Sequence, residues 1–145
     1  MTSPMRSPPF SVLRIDHVVL RVKDIERSIA FYRDVLGCEI EKRRDDLGLV
    51  HLRVGASLID LVTPDGPLGK QGGALAGTGG RNVDHICLRI EPFDEAAIRA
   101  LMTQHGVTVH GEVQNNFGAE GNGPSIYITD PDGNSVELKG PAPRT

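Results

Sequence analysis

The sequence has no tryptophan, only two tyrosines and only two cysteines among its 145 residues. Cys38 and Cys87 match no metal-binding or redox spacing, which argues against a cysteine-based site of either kind. Both adjoin apolar stretches, so we expect small buried thiols. No apolar run approaches the roughly 20 residues of a membrane-spanning helix. The start, MTSPMRSPPFS, lacks the apolar core of a signal peptide, and we therefore expect a cytoplasmic protein with no membrane partner.

An excess of one charge is also missing. The net charge is −3, which favours neither a nucleic acid nor an anionic membrane surface as a partner. Glycine, by contrast, is plentiful at 17 residues, and together with the scarce aromatics it favours a sheet-rich fold with many tight turns. The length suits one compact domain, or two small modules that share a core.

An internal repeat organises the chain. RIDHVVLRV at residues 14–22 and NVDHICLRI at residues 82–90 are nearly the same strand, each with a central histidine and an arginine four positions later. Aligning His17 with His85 shifts the sequence by close to half its length. Repeats of this kind indicate duplicated structural units.

The segments after the two histidines are also alike. A helical spacing of apolar residues comes after each strand, with Asp24 or Asp94 as the N-cap and Gly37 or Gly106 at the end. Three segments of alternating polarity come next, typical of strands. Each half therefore predicts βαβββ, an α+β fold class of two paired modules. We expect a flexible N-terminal arm at 1–11, a first module at 12–65, a Gly-rich linker at 66–81 and a second module at 82–140.

Strand periodicity places polar groups on shared faces. Residues two apart on a strand point the same way, so His17 and Arg21 share one face and His85 and Arg89 share the equivalent one. The closing strands SLIDLV and SVELK each carry one carboxylate between two apolar residues. If the modules pack side by side, four groups converge in one cup: His17, Asp60, His85 and Glu137. The alternative is that each histidine is an ordinary strand residue with a local partner.

Two imidazoles and two carboxylates suit one borderline divalent metal ion, namely Zn, Ni, Fe, Mn or Co. Four protein ligands around an octahedral ion leave two adjacent positions for water or substrate. We therefore predict a metal cofactor and a small-molecule substrate.

With these motifs the sequence resembles the vicinal oxygen chelate superfamily, which groups glyoxalases, bleomycin-resistance proteins and ring-cleaving dioxygenases. IDHVVLRVKDIERSIAFYRDVLG is similar to the first module of that family, and VDHICLRI and ITDPDGNSVEL are similar to the second. The resemblance implies paired βαβββ modules that form a glyoxalase-like open barrel, with the metal in the cleft. It also implies a homodimer, with modules that pair within one chain or across two.

The resemblance carries the family's metal ligands onto His17, Asp60, His85 and Glu137. In glyoxalase I the second of these is usually Glu, so the shorter Asp60 also leaves open a set of two histidines and one carboxylate. Arg21 matches a position that holds the glutathione carboxylate in bacterial glyoxalase I. The partner asparagine of that subsite is replaced by Pro64, and glutathione is not predicted as substrate.

Further residues are expected around the metal. A two-residue GA turn would pair His51 with Asp60, where His51 orients the carboxylate or acts as an acid or base, or else lies in solvent. The same counting places Tyr127 opposite Glu137, as a donor to substrate or a core residue. Arg89 adds positive charge to the cup, or is simply solvated. The Gly-rich stretch 117–125 is predicted to be a loop, either a lid or a plain turn.

Three functions compete. The first is a metal-dependent glyoxalase-like lyase or isomerase in which Glu137 and Asp60 are catalytic and the metal chelates adjacent oxygens of a small metabolite. The second is an extradiol-type dioxygenase using Fe or Mn, although such enzymes are usually longer. The third is a non-catalytic, drug-binding protein of the bleomycin-resistance kind, although such binders usually lack the metal ligands. We favour the first.

Overall fold

The computed structural model describes residues 8–143. Its helices are α1, an α-helical segment Ile25–Ile29 that continues as a π-helical segment Ala30–Val35, and α2 (Glu95–Gln104). The eight strands in chain order are β1 (His17–Arg21), β2 (Ile40–Arg44), β3 (Leu49–Val54), β4 (Ser57–Val62), β5 (Ile86–Arg89), β6 (Val109–Gly118), β7 (Gly121–Thr129) and β8 (Ser135–Lys139). No helix in the described range is long and apolar enough to cross a membrane.

The strands form two four-stranded mixed sheets of identical topology. The order is β1-β4-β3-β2 in the first sheet and β5-β8-β7-β6 in the second. In each sheet the first and last strands of the module run parallel, and the other pairs are antiparallel. The predicted α+β fold with two βαβββ modules is confirmed, and neither sheet closes into a barrel.

Both helices begin where the sequence predicts. The carboxylate of Asp24 accepts hydrogen bonds from the backbone N–H groups of Glu26 and Arg27, and that of Asp94 accepts one from Ala97. These bonds satisfy donors that the first helical turn leaves unpaired. Gly37 and Gly106 come after the helices with φ of 77° and 66°, a left-handed conformation that glycine adopts without steric cost.

One cluster of buried side chains spans both modules. It contains alternate residues of the strands, such as Leu52 and Leu61 in the first sheet and Ile126 and Leu138 in the second, together with residues of α1 and Met102 of α2. Because side chains alternate along a strand, the residues between them face away from this core. The predicted site residues lie on those opposite faces.

Polar contacts also join the modules. The Tyr32 hydroxyl of α1 donates to the buried Asp130 carboxylate in the β7–β8 turn, at 2.7 Å. In the same turn Asp132 accepts hydrogen bonds from the Ser28 hydroxyl and the Lys23 backbone N–H, at 3.0 and 2.8 Å. The first helix is thereby anchored to the last turn of the second module.

Two expectations are wrong. Cys38 is buried as expected, but Cys87 is exposed because it lies on the site-bearing face of β5, at the edge of its sheet. The stretch 117–125 is not a loop, since Phe117 pairs with Asn122 and Gly118 with Gly121 in a long β6–β7 hairpin. Residues 1–7 of the predicted arm lie outside the described range.

Candidate functional site

The first module places two predicted histidines around one predicted carboxylate. Asp60 is the register partner of His51 across β3 and β4, as the turn predicts, and His51 Nδ1 lies 2.7 Å from Asp60 Oδ1. His17 Nε2 lies 3.9 Å from the other oxygen, Oδ2. Asp60 is buried at 4% exposure, whereas His17 is largely exposed. One carboxylate thus faces two imidazoles at the surface of the sheet.

The second module repeats the arrangement around Glu137. His85 Nε2 lies 3.3 Å from Glu137 Oε1. The Tyr127 hydroxyl donates to the same oxygen at 2.9 Å, and Tyr127 is the register partner of Glu137 as predicted. Ser125 Oγ donates to Oε2 at 2.6 Å, and Asn116 Nδ2 donates to it at 3.3 Å. Every oxygen of this buried carboxylate is therefore hydrogen-bonded.

The two half-sites share one register. In the parallel pair of the first sheet, Asp60 lies opposite Val19, two residues after His17. In the parallel pair of the second sheet, Glu137 lies opposite Cys87, two residues after His85. The carboxylate of each module thus has the same strand register relative to the histidine.

Donors around Glu137 decide its charge. Burial by itself would raise the pKa of this carboxyl, but the hydrogen bonds from Ser125, Tyr127 and Asn116, with nearby His85, outweigh it and lower the pKa. The group is thereby held as a carboxylate. Burial, together with the negative charge of Glu137, raises the pKa of Tyr127, which keeps its hydroxyl protonated as a donor.

Each histidine also contacts the aspartate that precedes it. His17 Nδ1 lies 2.8 Å from Asp16 Oδ1, and His85 Nδ1 lies 2.7 Å from Asp84 Oδ2. The hydrogen bond with His17 lowers the pKa of Asp16, and the one with His85 lowers the pKa of Asp84. The hydrogen bond to Asp16, with the charge of Asp60, raises the pKa of His17.

The Arg21 side chain turns to the Gly-rich segment. Its guanidinium donates to the backbone carbonyls of Gly69, Gly73 and Ala74, at 3.1, 2.6 and 2.5 Å. Residues Gly69–Gly72 form a short 3-10 helix, and a Cβ on Gly72 would lie 2.5 Å from Arg21 Nε. Arg21 therefore fastens the predicted linker beside the first half-site.

Arg89 is engaged by carboxylates. It contacts Glu91 at 2.7 Å and Glu120, at the tip of the β6–β7 hairpin, at 2.6 Å. The contact with Glu120 ties the hairpin tip to β5. The predicted contacts of Arg21 and Arg89 with a substrate stay predictions.

Different cavities border the two half-sites. A cavity of about 640 Å³ runs along β5, and its lining includes His85 and Arg89 as well as apolar residues of the first module such as Val18 and Ile59. A second cavity, of about 260 Å³, adjoins Asp60 and is lined by Val19 and Arg21 among others. The larger one has the size and apolar lining of small-molecule sites.

Within residues 8–143 of one chain, no three His, Cys, Asp or Glu side chains come together as a set that could hold a metal ion. The structure thus brings His17 close to Asp60 and His85 close to Glu137, as two separate pairs. The predicted convergence of all four in one cup is not seen within a single chain.

Residues 14–138 match the family model of the glyoxalase/bleomycin resistance protein/dioxygenase superfamily. The chain belongs to this superfamily. The family resemblance found in the two histidine-containing strands is therefore confirmed, as is the glyoxalase-like fold.

Known members of the superfamily cover most of the chain. It is 29% identical to an ethylmalonyl-CoA/methylmalonyl-CoA epimerase of Cereibacter sphaeroides, over 87% of this chain and 96% of that protein. It is 30% identical to a lactoylglutathione lyase of Salmonella typhimurium, over 87% and 91% respectively. The mitochondrial methylmalonyl-CoA epimerases of mouse, cattle and human are longer, and the chain spans only 62–69% of their length.

Solved structures agree on the fold. The crystal structure of virulence protein STM3117 of Salmonella typhimurium superposes with a TM-score of 0.76 at 27% identity, over 92% of this chain and all of that one. Relatives of the superfamily include enzymes of several types, which supports an enzymatic character for this member.

Sequence reasoning missed four contacts of the half-sites. Asp16 and Asp84 were detectable, because an Asp–His pair stands in both copies of the repeat. Ser125 was detectable as well, since it lies two residues before Tyr127 and so on the same face. Asn116 was not, because the stretch 117–125 was expected to be a loop, so the β6–β7 pairing that places Asn116 opposite Gly123 was not predicted.

Proposed function

We propose that this protein is a metal-dependent lyase or isomerase of the glyoxalase type. The metal would be held by His17, Asp60, His85 and Glu137, and the substrate would be a small metabolite that presents two adjacent oxygens. The observation that carries the proposal is the histidine–carboxylate pair that recurs at the same register in both modules. In both pairs the histidine Nε2 faces a carboxylate oxygen, at the same strand register and on the same face of the sheet. Two unrelated surface pairs would not be expected to agree in all three respects.

The donor set suits a divalent ion. Nδ1 of both histidines is engaged by an aspartate, which leaves Nε2 for the metal. His85 Nε2 and Glu137 Oε1 are 3.3 Å apart, close to the separation of two donors that each lie about 2.1 Å from one ion. The 3.9 Å between His17 and Asp60 is longer, and Asp60 also binds His51. Two imidazoles with carboxylates suit Zn, Ni, Fe, Mn or Co.

A homodimer would complete the site. Both half-sites lie on sheet faces directed away from the common core, so one chain offers two incomplete ligand pairs. The segment before β1 exposes Phe10, Val12, Leu13 and Ile15, and Val19 on the site face is 47% exposed. Exposed apolar clusters of this kind mark protein–protein contacts. We infer that His17 and Asp60 of one copy meet His85 and Glu137 of a second copy.

The chain's own carboxylates would move the proton. Bound between the pairs, the ion would act as a Lewis acid that polarises the chelated oxygens of the substrate. Glu137, held ionised by its donors, would take a proton from carbon next to the substrate carbonyl and return it. Asp60, steadied by His51, would face the substrate from the other half-site. The apolar walls of the larger cavity would exclude water from the reacting carbon.

The second candidate reaction is epimerisation of an acyl-CoA. It is favoured by the identity to the Cereibacter sphaeroides epimerase over 96% of that protein. Epimerisation needs acid–base groups on both faces of the substrate carbon, and the two half-sites would supply Glu137 and Asp60 from opposite sides.

Metal analysis of the purified protein tests the ligand set. The wild type is expected to hold a divalent ion, and His17→Ala and His85→Ala are expected to lose it while remaining folded. His105→Ala is the matched control, since His105 only ends α2. Unchanged metal content in both site variants would remove the proposed centre.

Mixing the two variants tests whether copies share a site. If each site uses His17 of one copy and His85 of the other, a mixed dimer regains one intact site. An equimolar, reassorted mixture should then recover about a quarter of the wild-type metal, because half of the dimers are mixed and each holds one good site of two. No recovery would place all ligands within one chain.

Activity screening with each metal distinguishes the reactions. Methylglyoxal with several thiols tests the lyase, and single epimers of acyl-CoA substrates test the epimerase. Oxygen uptake with catechols would instead support the extradiol-type dioxygenase. Metal-independent binding of bleomycin without turnover would support the drug-binding alternative.

A further inference from the structure

An aspartate stands immediately before each site histidine, and its side chain makes the same contact in both modules. The distance from His17 Nδ1 to Asp16 Oδ1 is 2.8 Å, and that from His85 Nδ1 to Asp84 Oδ2 is 2.7 Å. The backbone context differs, since His17 is the first residue of β1 whereas His85 lies just before β5. The same side-chain contact is nevertheless formed in both.

The contact fixes where the imidazole carries its proton. An ionised carboxylate can only accept a hydrogen bond, so Nδ1 must be the protonated nitrogen of the neutral ring. The lone pair then lies on Nε2. In both modules Nε2 is the atom directed at the carboxylate of the half-site, at 3.9 Å from Asp60 and 3.3 Å from Glu137.

Stability does not account for the arrangement. The side chains of Asp16 and Asp84 are 81% and 93% exposed. Ion pairs at such exposure contribute little to folding because water and salt screen them. An orienting role asks less of the contact, because a modest energy is enough to favour one tautomer and one ring rotamer of a neutral imidazole over the other.

We propose that Asp16 and Asp84 are positioning residues that hold His17 and His85 in the Nδ1–H tautomer, so that Nε2 is the metal-binding atom. The inference rests on the proposed function for its metal, and it adds a pair of residues outside the ligand set. Hydrogen-bonded partners of metal-binding histidines orient the ring and raise its basicity, and their loss costs about 10–100-fold in metal affinity.

The tautomers are measurable in the metal-free protein. Nitrogen-15 spectra at a pH where the imidazoles are neutral should show His17 and His85 protonated at Nδ1. In Asp16→Ala and Asp84→Ala the corresponding ring should shift toward Nε2–H, which free imidazole side chains prefer. Asp16→Asn and Asp84→Asn should fall between, because the amide oxygen still accepts a hydrogen bond. Asp34→Ala is the matched control, since Asp34 pairs with adjacent Arg33 at the surface.

Titration with Zn²⁺ and Co²⁺ completes the test. The Kd is expected to rise about 10–100-fold in each alanine variant, and less in the asparagine variants. The Asp34→Ala control should bind like the wild type. Unchanged tautomers, or unchanged Kd in the alanine variants of a metal-binding wild type, would overturn this inference alone. A wild type that binds no divalent metal would overturn the proposed function as well.

Discussion

The hydroxyl of Tyr32 lies 2.7 Å from the buried carboxylate of Asp130, although 98 residues separate them in the sequence. Asp130 also accepts hydrogen bonds from the backbone N–H groups of Asp132 and Asn134 and from the Asn134 side chain. One buried carboxylate thus shapes the turn before β8 and ties it to the helix of the other module. We therefore expect the position of β8, and with it that of Glu137, to depend on this contact.

Replacing this tyrosine should destabilise the protein. Tyr32→Phe removes a donor from a buried carboxylate, and we expect the free energy of unfolding to fall by about 1–3 kcal/mol. The control is Ser57→Ala, which removes an exposed hydroxyl that donates only to the backbone carbonyl of Ile15, and it should change that free energy by no more than about 0.5 kcal/mol. Urea unfolding of both variants measures the difference. Equal losses would show that the Tyr32 contact does not join the modules.

Stability in acid should depend on the donors around Glu137. Its pKa is lowered in the folded protein, so its contribution to stability is present above the unfolded value near 4.5 and is lost as the pH falls through the folded pKa. In metal-free protein, Ser125→Ala combined with Tyr127→Phe should therefore lose less stability than the wild type as the pH falls from about 6 to about 3. Urea midpoints across that range measure the effect.

The control for the acid experiment is Ser57→Ala. Ser57 donates to the backbone carbonyl of Ile15 and touches no carboxylate. The stability of Ser57→Ala should therefore change with pH as that of the wild type does. If the urea midpoint of the double variant falls with pH as steeply as that of the wild type, these donors do not lower the pKa of Glu137.

A methyl group added to the Gly-rich segment should break the contacts that hold this segment to Arg21. In Gly72→Ala the new Cβ would meet Arg21 Nε at 2.5 Å and displace the guanidinium from its carbonyl partners. Each hydrogen bond to a charged group is worth about 1.5–3 kcal/mol, so we expect amide hydrogen exchange in residues 66–81 to quicken by at least about tenfold.

The matched variant in that segment is Gly79→Ala, since nothing lies within 4 Å of its added Cβ. It should exchange like the wild type, as measured by mass spectrometry of peptides from this range. If Gly72→Ala also exchanges like the wild type, Arg21 does not hold the segment, and a direct contact with substrate becomes the better assignment for its side chain.

The shared core should be sensitive to truncation. Leu61 has no exposed surface, and Leu61→Ala is expected to cost about 2–5 kcal/mol of unfolding free energy through lost burial and the cavity that remains. Leu13→Ala is the same chemical change at 84% exposure and should cost less than about 0.5 kcal/mol in the monomer. Denaturant unfolding at low protein concentration compares them. Similar losses would contradict the assigned core.

Local patterns in the sequence determined the elements and the pairing inside each module. Two aspartates before apolar helical patterns predicted both helix starts, because capping is a contact within one turn. A two-residue turn predicted that His51 faces Asp60, because counting along a hairpin fixes which residues are opposite. The same reasoning placed Tyr127 beside Glu137. The repeat itself predicted the two sheets of equal topology.

Only the tertiary structure decided how the modules face one another. Three features depend on segments that are distant in the sequence or on how they pair. These are the exposure of Cys87, the pairing of strands at 117–125 and the hydrogen bonds from Arg21 to backbone carbonyls of the Gly-rich segment. The separation of the two half-sites depends on distant segments as well, and it arises because both sheets bury their opposite faces in one core. Periodicity gives the face on which a side chain lies, but not what that face meets, because the packing of distant segments is a balance of burial over the whole chain.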